Sequence, residues 1–551
     1  MPKLIALLFL FVANVATNAQ KTSDNEILEV DLPTVEDCIP KAVSKLPPPS
    51  VFPFHKGLVT AVSAATYDAQ VHTLQGLNHL HGGWDFEARR HFAVAMESDP
   101  RCLMAHWGMV MSMLAPSPET DSCRLATTER LLQLVSDGEG TDLERGFAFA
   151  LVKYIENGPD GAEAAFAKIS DKFPGDVQSD IYAALFGRGG YDAMGDITPD
   201  QASAEQRLIE LVERSPNEAV PLHALLLIRA EAPDLRPSLE MARKLCQLVP
   251  NYAPYFHLLG HYEWRCGEHT RAASAFGNAA TLFSTWMAEN EVSPSDCPER
   301  TRAECYRVVA LASKGDFDNA LASANKIATT TLDPGRPSAA GTRQLHWEAR
   351  TLPARILMYR GAEGDPANAL SSLPSPNEDE EFRKSSLSHW WVDGLRIVLE
   401  AQRLLDIGEL EKASEVIGAV SYHGQAMAEQ QNAASAIGEF TEWRRSFIAF
   451  EVLSAELRGL QALAGPLEGR GSAFNWFRAA ADRQRPATML NPPPILTPMA
   501  MRLGDYFIES GMPAKAIDAY EEALDKYPNN EETLIRLRKV EALENSTKEQ
   551  E

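Results

Sequence analysis

The sharpest spacing for chemistry in this sequence lies in "YFHLLGHYEW", residues 255–264. His257 and His261 stand four residues apart, which on a helix puts both imidazoles on one face, a turn from each other. Two imidazoles so placed can chelate a divalent transition metal, with Zn–N bonds of about 2.0–2.1 Å. Tyr255, Tyr262 and Trp264 flank them. Histidine is unevenly spread along the chain. Of 13, six fall between residues 55 and 106 (His55, His72, His79, His81, His91, His106) and four between 223 and 269 (His223, His257, His261, His269). The usual catalytic signatures are missing: no phosphate-binding glycine loop, no H-E-x-x-H, no G-x-S-x-G, no C-x-x-C and no calcium-ligand spacing.

Helices must position these residues, and a repeat sets the helices. Gly76, Ala88, Phe92, Ala95 and Pro100 recur in type and spacing as Gly260, Ala272, Phe276 and Ala279, and again as Gly504, Ala516, Tyr520, Ala523 and Pro528. Small residues let two amphipathic helices approach, an aromatic fills the groove between them, and proline ends the second helix. The pattern resembles the tetratricopeptide repeat (TPR), a helix–turn–helix of about 34 residues. "GAEAAFAKISDKFP" is a weaker copy, and "ALASKGDFDNALASANKI" and "RLLDIGELEKASEVI" read as degenerate ones. The fold class expected is all-α, an α-solenoid of TPR and degenerate TPR-like hairpins.

The TPR resemblance implies roles for particular positions. His257 and His261 take the fifth and ninth places of a repeat that begins at Ala253, and His223 takes the fifth place of the repeat before it. In TPR first helices those places face the concave groove, so His223, His257 and His261 are the candidate metal ligands. Trp107, Tyr255, Tyr262 and Trp264 are the candidate groove-lining aromatics. The stretch from Leu222 to Ala279 also resembles a family of exported bacterial TPR proteins that carry an "LHYYIHA" helix and an "HMPSHIY" motif. "GLNHLHGGWDFEARRHFAVAMESDPRCLMAHWGM" is similar to that family's opening repeat. The family's histidines fall on His223, His257 and His261, with Leu-Leu-Gly here in place of Met-Pro-Ser and no second histidine in "ALLLIRA".

The remaining polar and aromatic residues take plainer readings. His72 and His79 stand where TPRs pack an aromatic, which makes them core histidines. His81, beside Gly82 and Gly83, is expected at a solvated or capping turn. Trp390, Trp391 and Trp443 read as packing residues, and "NEDEEF" as a solvated charge run.

The chain has 551 residues, 45% apolar and 23% charged, the composition of a folded protein. Lys and Arg total 52 against 76 Asp and Glu, a net charge of -24, which argues against a phosphate-backbone partner. Residues 1–19 read as a secretory signal peptide: Lys3, an apolar run from Leu4 to Val15, then small residues up to Ala19. No later run approaches the ~20 apolar residues of a membrane span. The mature chain is therefore expected to be exported, periplasmic or extracellular. Seven cysteines leave one odd thiol; Cys102–Cys123, Cys246–Cys266 and Cys297–Cys305 are near enough in sequence to pair, and all seven serving as small buried hydrophobes is the alternative.

The expected divisions are a proline-rich flexible segment (20–54), an N-terminal TPR solenoid (55–290), central degenerate helical repeats (291–487), a C-terminal TPR unit (488–540) introduced by "NPPPILTP", and a polar tail (541–551). Two functions fit. One is an interaction scaffold that binds a partner protein or peptide along its groove. The alternative is a metal-binding protein or metalloenzyme, holding Zn²⁺ or Cu²⁺ on His223, His257 and His261 with one position open.

Overall fold

The structure, a computed structural model, describes residues 32–548 except 55, 193–194, 376–382, 384–385 and 486–487. The expected signal peptide (1–19), His55 and the "NEDEEF" run lie outside the described residues. The chain is all-α: among the described residues the only β pairing is the isolated bridge between Tyr191 and Ile197. No described helix is long and apolar enough to cross a membrane.

By packing, the chain divides into two compact units: Met1–Leu114 with Thr120–Ile228, and Ala115–Glu119 with Arg229–Glu551. This division falls inside the 55–290 stretch, and it places residues 488–540 in the same unit as 291–487.

The first unit runs through α1 (Tyr67–His81), α2 (Asp85–Ser98), α3 (Leu103–Met111), α4 (Asp121–Ser136), α5 (Asp142–Lys172), α6 (Val177–Gly187), α7 (Pro199–Arg214) and α8 (Ala219–Arg229), whose last residue falls in the second unit. Most successive helices up to α7 pack against each other, α1 on α2 and α5 on α6 most extensively. Caps fix where helices start. Thr66 Oγ1 accepts from Ala69 N at 3.1 Å, and Thr141 with Glu144 forms a capping box. In the long α5, Gly158 leaves the helical region at φ 71°, just before Pro159, and kinks the helix there.

The second unit continues with α9 (Leu239–Leu248), α10 (Ala253–Arg265), α11 (His269–Glu289), α12 (Pro298–Ser313), α13 (Phe317–Ala328), α14 (Ala340–Trp347), α15 (Leu352–Arg360) and α16 (Asp365–Ser372). It ends with α17 (Ser388–Asp406), α18 (Leu410–Glu429), α19 (Phe440–Ala464), α20 (Ser472–Arg483), α21 (Met499–Glu509), α22 (Pro513–Lys526) and α23 (Glu531–Lys548).

The repeat anchors do what their residue types require. A Cβ on Gly76 would stand 2.5 Å from the Phe92 ring, one on Gly260 2.7 Å from Phe276, and one on Gly504 2.4 Å from Tyr520. Only glycine admits the aromatic that closely, so each hairpin is locked at one point along its helices. Gly459 against Phe477 repeats the lock at 2.6 Å between α19 and α20, a hairpin the sequence pattern did not reveal.

Packing corrects one expectation and separates the two readings of the cysteines. Of the segment expected to be flexible (20–54), the described residues 32–54 are docked on the first unit: Cys38, Ile39 and Val43 are buried, Thr127 Oγ1 donates to Cys38 O at 3.1 Å, and Phe52 and Gln75 exchange two hydrogen bonds. All seven cysteines are unpaired thiols, five of them buried. They sit as small apolar side chains in helix contacts, as Cys246 does with its thiol on Tyr255 O at 3.4 Å; burial pushes that thiol up to about 12.

Candidate peptide cradle and histidine sites

The helices of the second unit converge on one irregular stretch of the same unit, residues 488–498, "TMLNPPPILTP". Its three consecutive prolines carry no N–H, so carbonyl oxygens are their only main-chain polar groups. Each carbonyl removed from water needs a donor. Five helices supply donors here. From α10, His257 Nε2 donates to Met489 O at 2.9 Å. From α12, Tyr306 Oη reaches the carbonyls of Asn491 (2.9 Å) and Thr488. Gln344 Nε2 of α14 donates to Asn491 Oδ1 at 2.9 Å. Arg355 Nη2 of α15 donates to Pro493 O at 2.6 Å, and Arg445 Nη2 of α19 to Pro492 O at 2.7 Å. Further on, Gln484 donates to Thr497 O at 2.8 Å and accepts from Met499 N at 2.8 Å.

The two arginines are held by one carboxylate. Glu348 accepts from Arg355 Nη1 at 3.1 Å and from Arg445 Nη1 at 2.5 Å, so an Arg–Glu–Arg triad, with Arg355 and Glu348 buried and Arg445 half-buried, aims two guanidinium groups at consecutive proline carbonyls. Burial lowers the Arg355 pKa, and the Glu348 charge opposes that shift. Arg–carbonyl and hydroxyl–carbonyl bonds of this kind read a backbone rather than a side-chain sequence.

The histidines singled out by spacing are shared between the units. His223 belongs to the first, where its Nδ1 donates to His81 O at 2.7 Å. His257 and His261 belong to the second: His257 donates to Met489 O, and His261 Nε2 donates to Ala230 O at 2.9 Å. A carbonyl can only accept, so each of these ring nitrogens carries the proton. The Nδ1 atoms of His257 and His261 are buried without a hydrogen-bond partner. Burial holds all three imidazoles neutral: it lowers His223 and His257 to about 4 and His261 to about 3. Glu263, two residues beyond His261 and off its face, is taken by a two-pronged ion pair with Arg243, both contacts at 2.8 Å.

The four aromatics expected to line a groove are packed instead. Trp107, Tyr255 and Tyr262 are at most 1% exposed and Trp264 is 5%. Trp107 Nε1 donates to Phe147 O at 3.1 Å within an edge-to-face cluster that includes Tyr182. Trp264 Nε1 donates to Ser313 Oγ at 3.1 Å and stacks edge-on against Tyr306 and Tyr527. Large rings at hairpin contacts bury more apolar area inside the array than they would on its face, which is where these sit.

The N-terminal histidines form a second site. His79 is a core residue, edge-on to Phe54 and Trp84. His81, expected at a solvated turn, is buried and meets Gln178 through Nε2 at 3.2 Å. Among the described residues, one group of His, Cys, Asp or Glu brings three ligand atoms within 4.8 Å of one another: His79, Glu87 and His91. Sequence reasoning passed over Glu87 and His91 as a pair, though their i, i+4 spacing on α2 is the same signal that drew attention to His257 and His261. It also passed over Tyr306, Arg355 and Arg445, whose only sequence sign was the carbonyl-only "NPPP" stretch far along the chain.

No protein-family model matches the chain, and no curated protein matches it. Solved structures do. Yeast Tom70 shares 12% identity over 88% of this chain and 90% of its own, with a TM-score of 0.23. A human IFIT1 dimer solved with m7Gppp-AAAA shares 13% over 84% and 91%, at 0.28. The Cut9–Hcn1 hetero-tetramer shares 10% over 86% and 90%, at 0.27. Scores this low align no individual residues, and function has to be read from the sites themselves.

Proposed function

We propose that this chain is an exported interaction scaffold that binds a partner protein through an extended peptide stretch. The observation that carries this reading is the cradle around residues 488–498. Donors from α10, α12, α15 and α19 hold an irregular, proline-rich backbone by its carbonyls, and Gln344 of α14 holds the Asn491 side chain. Helical-repeat arrays bind peptides of other chains with the same chemistry, side chains from successive hairpins reaching one backbone. A partner segment poor in free N–H groups matches these donors best.

The test is a random-peptide display screen against the full chain and against a variant with residues 488–493 replaced by a Gly/Ser stretch of equal length. Enrichment of extended, proline-containing peptides on the variant, lost on adding Arg445→Ala, is the expected result. No enrichment on either protein would sink the reading. Export rests on the apolar run of residues 4–15 and the small residues after it. N-terminal sequencing of the native protein is expected to start at Gln20, and a start at Met1 or Pro2 would remove the export claim.

A further inference from the structure

We propose that His79, Glu87 and His91 form a binding site for one divalent transition-metal ion, Zn²⁺ being the best match, which clasps the first helical hairpin. The three residues come from both helices of that hairpin. His79 is on α1, while Glu87 and His91 lie one turn apart on α2 and so share a face. The Gly76–Phe92 contact draws the two helices together at this level. One ligand atom from each residue lies within 4.8 Å of the other two, and all three side chains are buried.

Two imidazoles and a carboxylate form a donor set that zinc and its neighbours accept, with a fourth position left for water. Glu87 Oε1 stands 4.0 Å from His91 Nε2, too far for a hydrogen bond. Ligand atoms around a tetrahedral zinc stand about 3.3 Å apart, given bonds of about 2.0–2.1 Å. Small side-chain rotations close that difference. His91 Nε2 is buried and makes no hydrogen bond.

The surroundings are those of a supported ligand set. His91 Nδ1 lies 2.9 Å from His72 Nδ1, a bond that sets the ring's orientation and turns Nε2 toward Glu87. The other carboxylate oxygen of Glu87 accepts from Arg90 Nη1 at 2.7 Å, and Arg90 Nη2 in turn holds Pro47 O at 2.9 Å. Arg90 thereby fixes the Glu87 carboxylate in place. It also adds a positive charge beside the ion, so affinity sits below that of a site with two carboxylates. Burial, with Arg90 adding to it, keeps both imidazoles neutral.

The site belongs to the first unit and shares no residue with the peptide cradle, so its test is independent of that one. The full chain, produced without a histidine tag and stripped with chelator, is titrated with Zn²⁺ by calorimetry and with Co²⁺ by visible absorption. One ion per chain and an intense tetrahedral Co²⁺ spectrum are expected. His91→Gln and Glu87→Gln should each weaken Zn²⁺ binding by at least about 100-fold and abolish the Co²⁺ band. Glu87→Gln is close to isosteric and serves if His91→Gln fails to fold, with helicity of the metal-free variants measured by circular dichroism. The His257→Gln/His261→Gln double variant should bind as the unaltered chain does. No binding by the unaltered chain, or binding that survives Glu87→Gln and His91→Gln, overturns the proposal. So does loss of binding in the His257/His261 variant alone.

Discussion

Hairpins α1–α2 and α10–α11 share one scaffold and use their histidines in opposite ways. Both lock a glycine against an aromatic, Gly76 on Phe92 and Gly260 on Phe276. Both turn through a glycine at positive φ, Gly83 at 75° and Gly267 at 81°. Relative to the locking glycine, the first hairpin carries histidines four residues before and three after, a stripe on the glycine's own face. His72 and His79 therefore meet His91 of the partner helix, with ring centroids 5.1 Å apart in each pair. The second hairpin carries them three before and one after. His257 and His261 consequently face Tyr306 of the next hairpin and donate to irregular backbone at Met489 and Ala230. A shift of one or two positions on a common frame separates a cluster of ligand-type side chains from a pair of carbonyl clamps.

The largest expected effect tests the shared frame. Phe92→Ala and Phe276→Ala should each cost about 3–5 kcal/mol in urea unfolding, since each empties a buried lock. A loss below about 1 kcal/mol in either would mean that the hairpins are not built alike.

Next comes the cradle, which the first hairpin lacks. Glu348→Gln leaves the buried Arg355 and the half-buried Arg445 around a neutral partner and should cost about 3 kcal/mol. The loss should show in the second unit, by hydrogen exchange across α14, α15 and α19. Protection lost equally in α1 and α2 would contradict the assignment.

Acid separates charge from packing. Burial holds His261 at about 3 and His257 at about 4, against about 6.5 in an unfolded chain. As pH falls the unfolded state takes up these protons first. This stability is whole above pH about 6.5 and falls by about 1.4 kcal/mol per pH unit per histidine toward the folded values. Urea midpoints at pH 7 and pH 5 should differ accordingly, and His261→Gln should reduce the difference. An unchanged difference would mean that the ring is not buried in solution.

The smallest effect is the clamp itself. His257→Leu removes one hydrogen bond to Met489 O and should cost about 1 kcal/mol, with faster exchange confined to residues near 489.

The all-α repeat was legible because its anchors are local: a glycine and an aromatic sixteen residues apart meet across a single turn, and their spacing shows in the sequence. The Gly459–Phe477 hairpin escaped because the pair is eighteen residues apart, with a longer connection between the helices. The i, i+4 relation of His257 and His261 was legible for the same reason, since one helix suffices to place them. Their partners were not. Ala230 is thirty-one residues from His261, and Met489 is 232 residues from His257.

By itself, then, the sequence determined the helices, their pairing into TPR-type hairpins and the faces that residues share within a helix, because these follow from contacts a few turns apart. Only the tertiary structure decided that Trp107, Tyr255, Tyr262 and Trp264 lie inside rather than along a groove, and that a proline stretch near the end of the chain occupies the inward donors of five helices. It also decided that His79, Glu87 and His91 converge. Each of these depends on how one helix stacks against the next, and packing between elements distant in the chain leaves no periodicity to read.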